Sequence, residues 1–257
     1  MENNSKTHAL RNIGFYMSKS FKFYKLKNDN LTPIIFVIIL IINSVSFFII
    51  RKYDMSIDLS NVTYDKFAAY MINLFQNSII SFITLIIINI FSTVYLAAYI
   101  KELKGESYTV KDSFELTFRN IFKIILVFIA IRIFIAVGLL FLIVPGIIVY
   151  LICYFNRCYI IDKSIGIIGS FRRSSILTNG RKLQMLANII VFYILAYLML
   201  LLLTTLFFSG NLMIQIFVVS FTTSIISLIE ARLIALMYVD LEYGINDTRD
   251  EQRIEKI

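Results

Sequence analysis

A single histidine, His8, is all that this chain contains, and it stands in the polar stretch before the first apolar run. That scarcity removes histidine-based catalysis and histidine metal sites. Cysteine is nearly as rare, with Cys153 and Cys158 in one apolar stretch. Five positions apart on a helix, they point about 140° apart and cannot bridge each other. They are expected as free thiols. Charge is the third shortage. Only 16% of the residues are charged and 58% are hydrophobic, whereas a soluble domain carries about a quarter charged residues. A larger core does not absorb the difference, because a soluble chain of 257 residues still needs a wet surface. Lipid is therefore expected to cover much of this one. Abundant Ile, Asn, Lys and Phe without any Trp matches the coding bias of an AT-rich bacterial genome.

Chemistry motifs are missing too. There is no glycine-rich phosphate loop, no cysteine pair at zinc spacing, no Ser/His/Asp set and no His-Glu-x-x-His. Glu230 is the only acid well inside an apolar run. Neither an enzyme nor a cofactor is expected.

What is present is six long apolar runs, at 33–50, within 67–100, and at 121–144, 147–161, 185–208 and 212–239. Each reads as a membrane helix. Pro33 suits the first helical turn. The second run exceeds one bilayer, so its part around Asn73 to Asn77 is expected to protrude or the helix to tilt. Pro145-Gly146 is expected to turn the chain between a third span and a short fourth one. The fold class is thus all-α and polytopic, with six transmembrane helices. It divides into a basic aromatic segment (1–32), the six-span domain (33–239) and an acidic tail (240–257). No cleavable signal peptide is expected, since Arg51-Lys52-Tyr53 follows the first run in place of small residues.

Charge placement sets the orientation. Twenty of the 25 basic residues fall before span one, after spans two and four, or in the tail, and only Arg51, Lys52 and Lys66 lie on the other side. Cytoplasmic loops carry the Lys/Arg excess, so both termini are expected in the cytosol of a bacterial inner membrane. Asn61-Val62-Thr63 fits a glycosylation acceptor that such a source leaves idle.

Each pair of spans follows a stretch that suits the interface. Phe15, Tyr16, Phe21, Phe23 and Tyr24 interleave with Lys19, Lys22, Lys25 and Lys27. Over 110–123, Val110, Phe114, Phe118 and Ile121 repeat at helical spacing beside Lys111, Glu115, Arg119 and Lys123, which predicts an amphipathic helix with i,i+4 ion pairs. Thr109 and Asp112 predict a capping box. A third helix is predicted over 167–178, ended by Asn179-Gly180. Two readings follow: three parallel repeats of interfacial helix plus hairpin, or the look of any even-span topology. Ser20-Phe21, Ser113-Phe114 and Ser170-Phe171 sit at similar places.

Three groups of residues are candidates for function. Arg132 lies about nine residues from Lys123, and Glu230 about ten from Asp240, so both sit roughly 14–15 Å deep. A charge at that depth costs about 2.5–3.5 kcal/mol or more unless partnered. An Arg132–Glu230 ion pair is expected, with Arg232 nearer the cytosolic interface. It serves either as a counter-charge for a passing substrate or as a packing device. A polar stripe of Asn73, Gln76, Asn77, Ser81 and Thr84, with Ser92 and Tyr95, marks one face of span two. It either lines a watery path or hydrogen-bonds to neighbouring helices, at about 0.6 kcal/mol per bond. Finally Arg157, Lys163, Arg172, Arg173, Arg181 and Lys182, countered by Asp162, form a basic cluster. It suits an anionic lipid headgroup or phosphate, or simply holds topology.

Residues 145–180 also carry a pattern. Pro145-Gly146, Arg157 near the end of a short span and Asp162 are followed by Gly166-x-x-x-Ser170-Phe171-x-Arg173-Ser174-x-x-Leu177-Thr178-x-Gly180, and span six closes on Met237-Tyr238-Val239-Asp240-Leu241. This resembles the membrane domain fused to some bacterial glycerophosphoryl diester phosphodiesterases, and related stand-alone bacterial membrane families of uncharacterised role. That family often has Ala-Leu at Ser170-Phe171 and a proline near Cys158-Tyr159. The resemblance implies a membrane module and no hydrolase, because the phosphodiesterase barrel is missing. The leading expectation is a non-catalytic protein that engages anionic membrane lipids or a membrane partner protein, as an accessory to export, envelope maintenance or resistance to membrane-active compounds. The alternative is a small transporter or permease subunit using Arg132 and Glu230. No nucleic-acid partner is expected.

Overall fold

The computed structural model describes residues 9–28, 30–52, 63–141, 143–207 and 210–244. His8, Asn61-Val62, Ser209 and the tail cations Arg249, Arg253 and Lys256 lie outside them. The helices are α1 (Ile13–Ser20), α2 (Leu31–Lys52), α3 (Tyr64–Leu103), α4 (Val110–Arg119), α5 (Ile121–Phe141), α6 (Ile143–Ile152), α7 (Asn156–Lys163), α8 (Ile167–Leu177), α9 (Lys182–Leu206) and α10 (Leu212–Tyr243). Among the described residues there is no strand. Six helical segments are long and apolar enough to cross a membrane, α6 and α7 together making the fourth. The chain is a polytopic α-helical membrane protein.

Helices α2, α3 and α10 form a packed trio, α9 lies on α10, and α5 and α6 form a hairpin that touches α3 and α9. Close packing is densest at the basic end. Val94–Ile100 of α3 and Leu233–Leu241 of α10 are essentially inaccessible. Toward the opposite end Phe75, Leu140, Val144, Leu202 and Leu206 are exposed. Lipid tails are as apolar as leucine, so nothing drives those side chains inward.

Helix α3 has 40 residues, about 60 Å of helix against a hydrocarbon core of about 30 Å. It runs antiparallel to α2: Tyr95 reaches the carbonyl of Phe23 and Thr84 reaches Ser46. Lys52 at the end of α2 therefore falls near the level of Ser78, and the turns of α3 before it project further.

The hairpin turn falls earlier than Pro145-Gly146. Helix α5 ends at Phe141 and α6 starts at Ile143. Pro145 sits in the first turn of α6, where its missing N–H has no intrahelical acceptor in any case. Gly146 serves packing, not turning. A methyl group on Gly138 would lie 2.8 Å from its Cα, so α5 and α6 meet backbone to backbone there.

The fourth span is broken. Cys153, Tyr154 and Phe155 form a turn between α6 and α7. Ser174 of α8 fills the gap: its hydroxyl accepts from the Phe155 N–H at 3.2 Å and donates to the Ile152 carbonyl at 2.6 Å. Backbone freed inside a membrane needs such partners.

A short helix precedes each pair of spans: α1 before α2–α3, α4 before α5–α6/α7, and α8 before α9–α10. Thr109 and Asp112 form the expected capping box at α4, in both directions. The expected apolar face of α4 is met in part. Val110, Phe114 and Leu116 are half-buried against the bundle, with Ser113 and Thr117 the most buried residues of the helix, while Phe118 is exposed. The charged Lys111, Glu115 and Arg119 are exposed and form no ion pair among the described residues. Small hydroxyl residues let a surface helix approach the bundle closely. Ser20, Ser113 and Ser170 are all fully buried.

Each unit also closes on an acid. Glu102 accepts from the Tyr108 hydroxyl at 2.6 Å and the Lys27 N–H at 2.9 Å. Asp162 meets Lys104 at 2.9 Å and takes the hydroxyls of Tyr238 and Tyr243. Asp240, which begins the expected solvated tail, is instead 2% exposed, inside α10. It accepts from the Tyr16 hydroxyl at 2.7 Å and pairs with Arg11 at 3.4 Å. Burial and that carboxylate push the Tyr16 hydroxyl well above its ordinary pKa. Burial works against the Lys104 ammonium, but Glu106 and Asp162 outweigh it and raise its pKa.

Candidate functional site

A cavity of about 350 Å³ lies where the densest packing ends. Five elements build it. Helix α3 contributes Asn89 and Ser92, α5 contributes Arg132, the α6–α7 break contributes Cys153 and Tyr154 with Tyr150 and Arg157 on either side, α9 contributes Tyr193, and α10 contributes Ser227 and Glu230. Ser92, Arg132 and Tyr193 each lie eleven residues from the basic end of their helix, about 17 Å at 1.5 Å per residue, and Glu230 lies thirteen, about 20 Å. These polar groups thus fall within about one helical turn of a common level in the membrane. Exposure rises along the cavity. Ser92, Phe128 and Ile234 close it toward the basic end, and Leu85, Arg132 and Tyr193 are exposed at its mouth.

Three charges face this space. Glu230 accepts a hydrogen bond from the Tyr193 hydroxyl at 2.9 Å, and the Tyr150 hydroxyl lies 3.5 Å from that of Tyr193. Arg157 donates to the Ser92 hydroxyl at 3.3 Å. The Arg132 guanidinium sits 5.1 Å from the centre of the Phe128 ring. Tyr150 is within electrostatic reach of all three charges. The carboxamide oxygen of Asn89 is buried without a partner. The broken span lines the cavity, so the positive end of α7 adds to the field of the two arginines.

The expected residues separate into several places. Arg132 and Glu230 share the cavity, but they form no ion pair among the described residues. Glu230 is taken by Tyr193, and the main neighbours of α5 are α6, α3 and α7. Arg232 is on another face of α10. It is 1% exposed, donates to the Lys25 carbonyl at 2.7 Å and the Tyr95 hydroxyl at 3.3 Å, and lies 4.1 Å over the Tyr99 ring.

The basic cluster is divided. Arg157 enters the cavity. Lys163 pairs with Glu242. Arg172 and Arg173 are exposed, Arg181 and Lys182 are half-buried, and none of these four has an ion-pair partner among the described residues. Asp162 turns to Lys104 and away from them.

The polar stripe is divided. Thr84 bonds Ser46 of α2 at 2.9 Å, whereas the Asn77–Asn73 bond at 3.1 Å stays within α3. Ser81 is half-buried and Gln76 is exposed. Only Ser92 of that face reaches the cavity. Cys153 and Cys158 are free and buried, as expected.

Sequence reasoning missed Asn89, Tyr150, Tyr154, Tyr193 and Ser227. A signal existed for Tyr193, whose distance from Lys182 puts it level with Glu230. In the resembling stretch, Ser170, Ser174, Leu177 and Thr178 form the buried face of α8 and its end, and Gly180 has φ +75°. The chain matches no protein family, no curated protein and no solved structure.

Proposed function

We propose that this protein is a small transporter or permease subunit that binds an anionic substrate in its mid-membrane cavity. The observation that carries the reading is the pair of guanidiniums, Arg132 and Arg157, facing one cavity with no carboxylate partner among the described residues. Unpaired charge inside the membrane is costly and marks a substrate or ion pathway. A discontinuous helix beside a binding site at the midplane is a recurring transporter feature. The lysine and arginine asymmetry supports an orientation with both termini in the cytosol of a bacterial membrane, the cavity facing away from it.

The test is current from proteoliposomes on a solid support, challenged with soluble monoanionic organic acids and phosphodiesters. A transient current is expected from the unaltered protein. Arg132→Gln and Arg157→Gln should each weaken apparent affinity about tenfold or more, the 1.4 kcal/mol equivalent of one lost charge-assisted contact. Full currents in both variants would refute the reading.

A second role has its own observation. Arg172, Arg173, Arg181 and Lys182 border the basic end without ion-pair partners among the described residues, which suits contact with an anionic leaflet. Each cation near such a surface contributes about 1 kcal/mol. Arg172→Gln with Arg173→Gln should lower co-purification of anionic lipid by severalfold, as read by mass spectrometry of extracted lipid. An unchanged lipid content would leave these residues with topology alone.

A further inference from the structure

The charges around the cavity do not cancel. Two guanidiniums, Arg132 and Arg157, face a single carboxylate, Glu230. One positive charge is left over in a space where low polarity makes any residual charge expensive. Around it are groups that hydrogen-bond without charge: the hydroxyls of Ser92, Ser227, Tyr150 and Tyr193, and the Asn89 amide, whose oxygen is buried and unpartnered. An amide end can be turned to present its N–H₂. Glu230 is held away from the arginines by Tyr193 at 2.9 Å, so it does not quench either of them directly. It acts on the whole cavity through space.

We infer that Glu230 is a charge selector, which sets the cavity to accept an oxyanion of one negative charge, a carboxylate or phosphodiester, and to reject a dianion. This rests on the anion-binding reading above and adds to it the charge class of the ligand. With a monoanion bound, the cavity is neutral. A dianion would leave one negative charge uncompensated beside Glu230. Replacing the carboxylate by an uncharged amide raises the surplus to two and reverses the preference. Tyr193 can still donate to the glutamine oxygen, so the geometry is kept.

The experiment uses the full chain in nanodiscs at about pH 8 and two matched probe pairs. Dimethyl phosphate and methyl phosphate are the soluble pair. Phosphatidylglycerol and phosphatidic acid are the lipid pair. The unaltered protein should bind the monoanion of a pair at least about tenfold more tightly than the dianion, and Glu230→Gln should move that ratio at least about tenfold toward the dianion. A response in only one pair identifies the ligand as soluble or as lipid, and either response supports the inference. If Glu230→Gln is not recovered as a monodisperse sample, the ratio in the unaltered protein decides alone. Anion binding without charge preference, or a ratio unmoved by the substitution, overturns the selector and leaves the cavity an anion site. Absence of any anion binding removes both.

Discussion

Arg232→Met is expected to destabilise the folded protein by about 3–5 kcal/mol, the range for breaking a buried charged network by removing one member. Arg232 is the largest fully buried side chain in the described structure. It joins three segments that nothing else joins in the same way. It caps the Lys25 carbonyl in the chain between α1 and α2, bonds the Tyr95 hydroxyl on α3, and sits 4.1 Å over the Tyr99 ring. Tyr95 in turn donates to the Phe23 carbonyl at 2.7 Å. Methionine fills most of the volume and keeps none of the donors, so the Lys25 carbonyl loses its partner. Arg232→Lys should recover part of the loss only. Both bonds leave one nitrogen, Nη1, which an ammonium can imitate, but an ammonium does not supply the flat guanidinium surface that covers the Tyr99 ring. Thermal unfolding in detergent, followed by size-exclusion chromatography, measures both. A melting temperature for Arg232→Met within about 2 °C of the unaltered protein, equivalent to about 0.5–1 kcal/mol for this chain length, would show the contact to be idle.

Ser174→Ala is expected to cost about 2–4 kcal/mol. One hydroxyl there serves two backbone groups of the broken span, Ile152 C=O and Phe155 N–H. Each buried group left without a partner costs about 1–3 kcal/mol, and Ser174, Phe155 and Cys158 are all fully buried there. Ser174→Cys keeps the size and weakens both bonds, so it should fall between. Hydrogen exchange gives the specific readout: the Phe155 amide should exchange faster in Ser174→Ala. Protection equal to that of the unaltered protein would mean that the break is held by other contacts. The same break places Cys153, Tyr154 and Arg157 on the cavity, so its repair by α8 connects a surface helix to the site.

Much of the architecture is legible in local sequence because the membrane makes local rules strict. Backbone polar groups must be satisfied inside each crossing, so a long apolar run can only be a helix. That is why the six runs appear as six crossings, and why Thr109 and Asp112 predict their capping box. Matching depth is legible as well. Counting residues from the basic flanks puts Arg132 and Glu230 on one level, since helical rise is fixed at about 1.5 Å per residue.

Rotation and neighbourhood are a different matter. The apolar periodicity of α4 locates Val110 and Phe114 against the bundle but not the small hydroxyl residues Ser113 and Thr117, which are buried most deeply. Helix pairs in lipid are selected by close contact at particular points, such as Gly138 against Gly146 or Asn43 on Ser224. No periodicity announces those points. Composition and pattern by themselves determined that this chain threads a membrane six times, with its cations gathered at one end. Only tertiary structure decided that Arg157 leaves the surface cluster for the cavity, that Arg232 turns to Tyr95 and Tyr99, and that Glu230 meets Tyr193 and not Arg132. The choice of partner depends on which helices pack side by side, and hydropathy is the same for every order of packing.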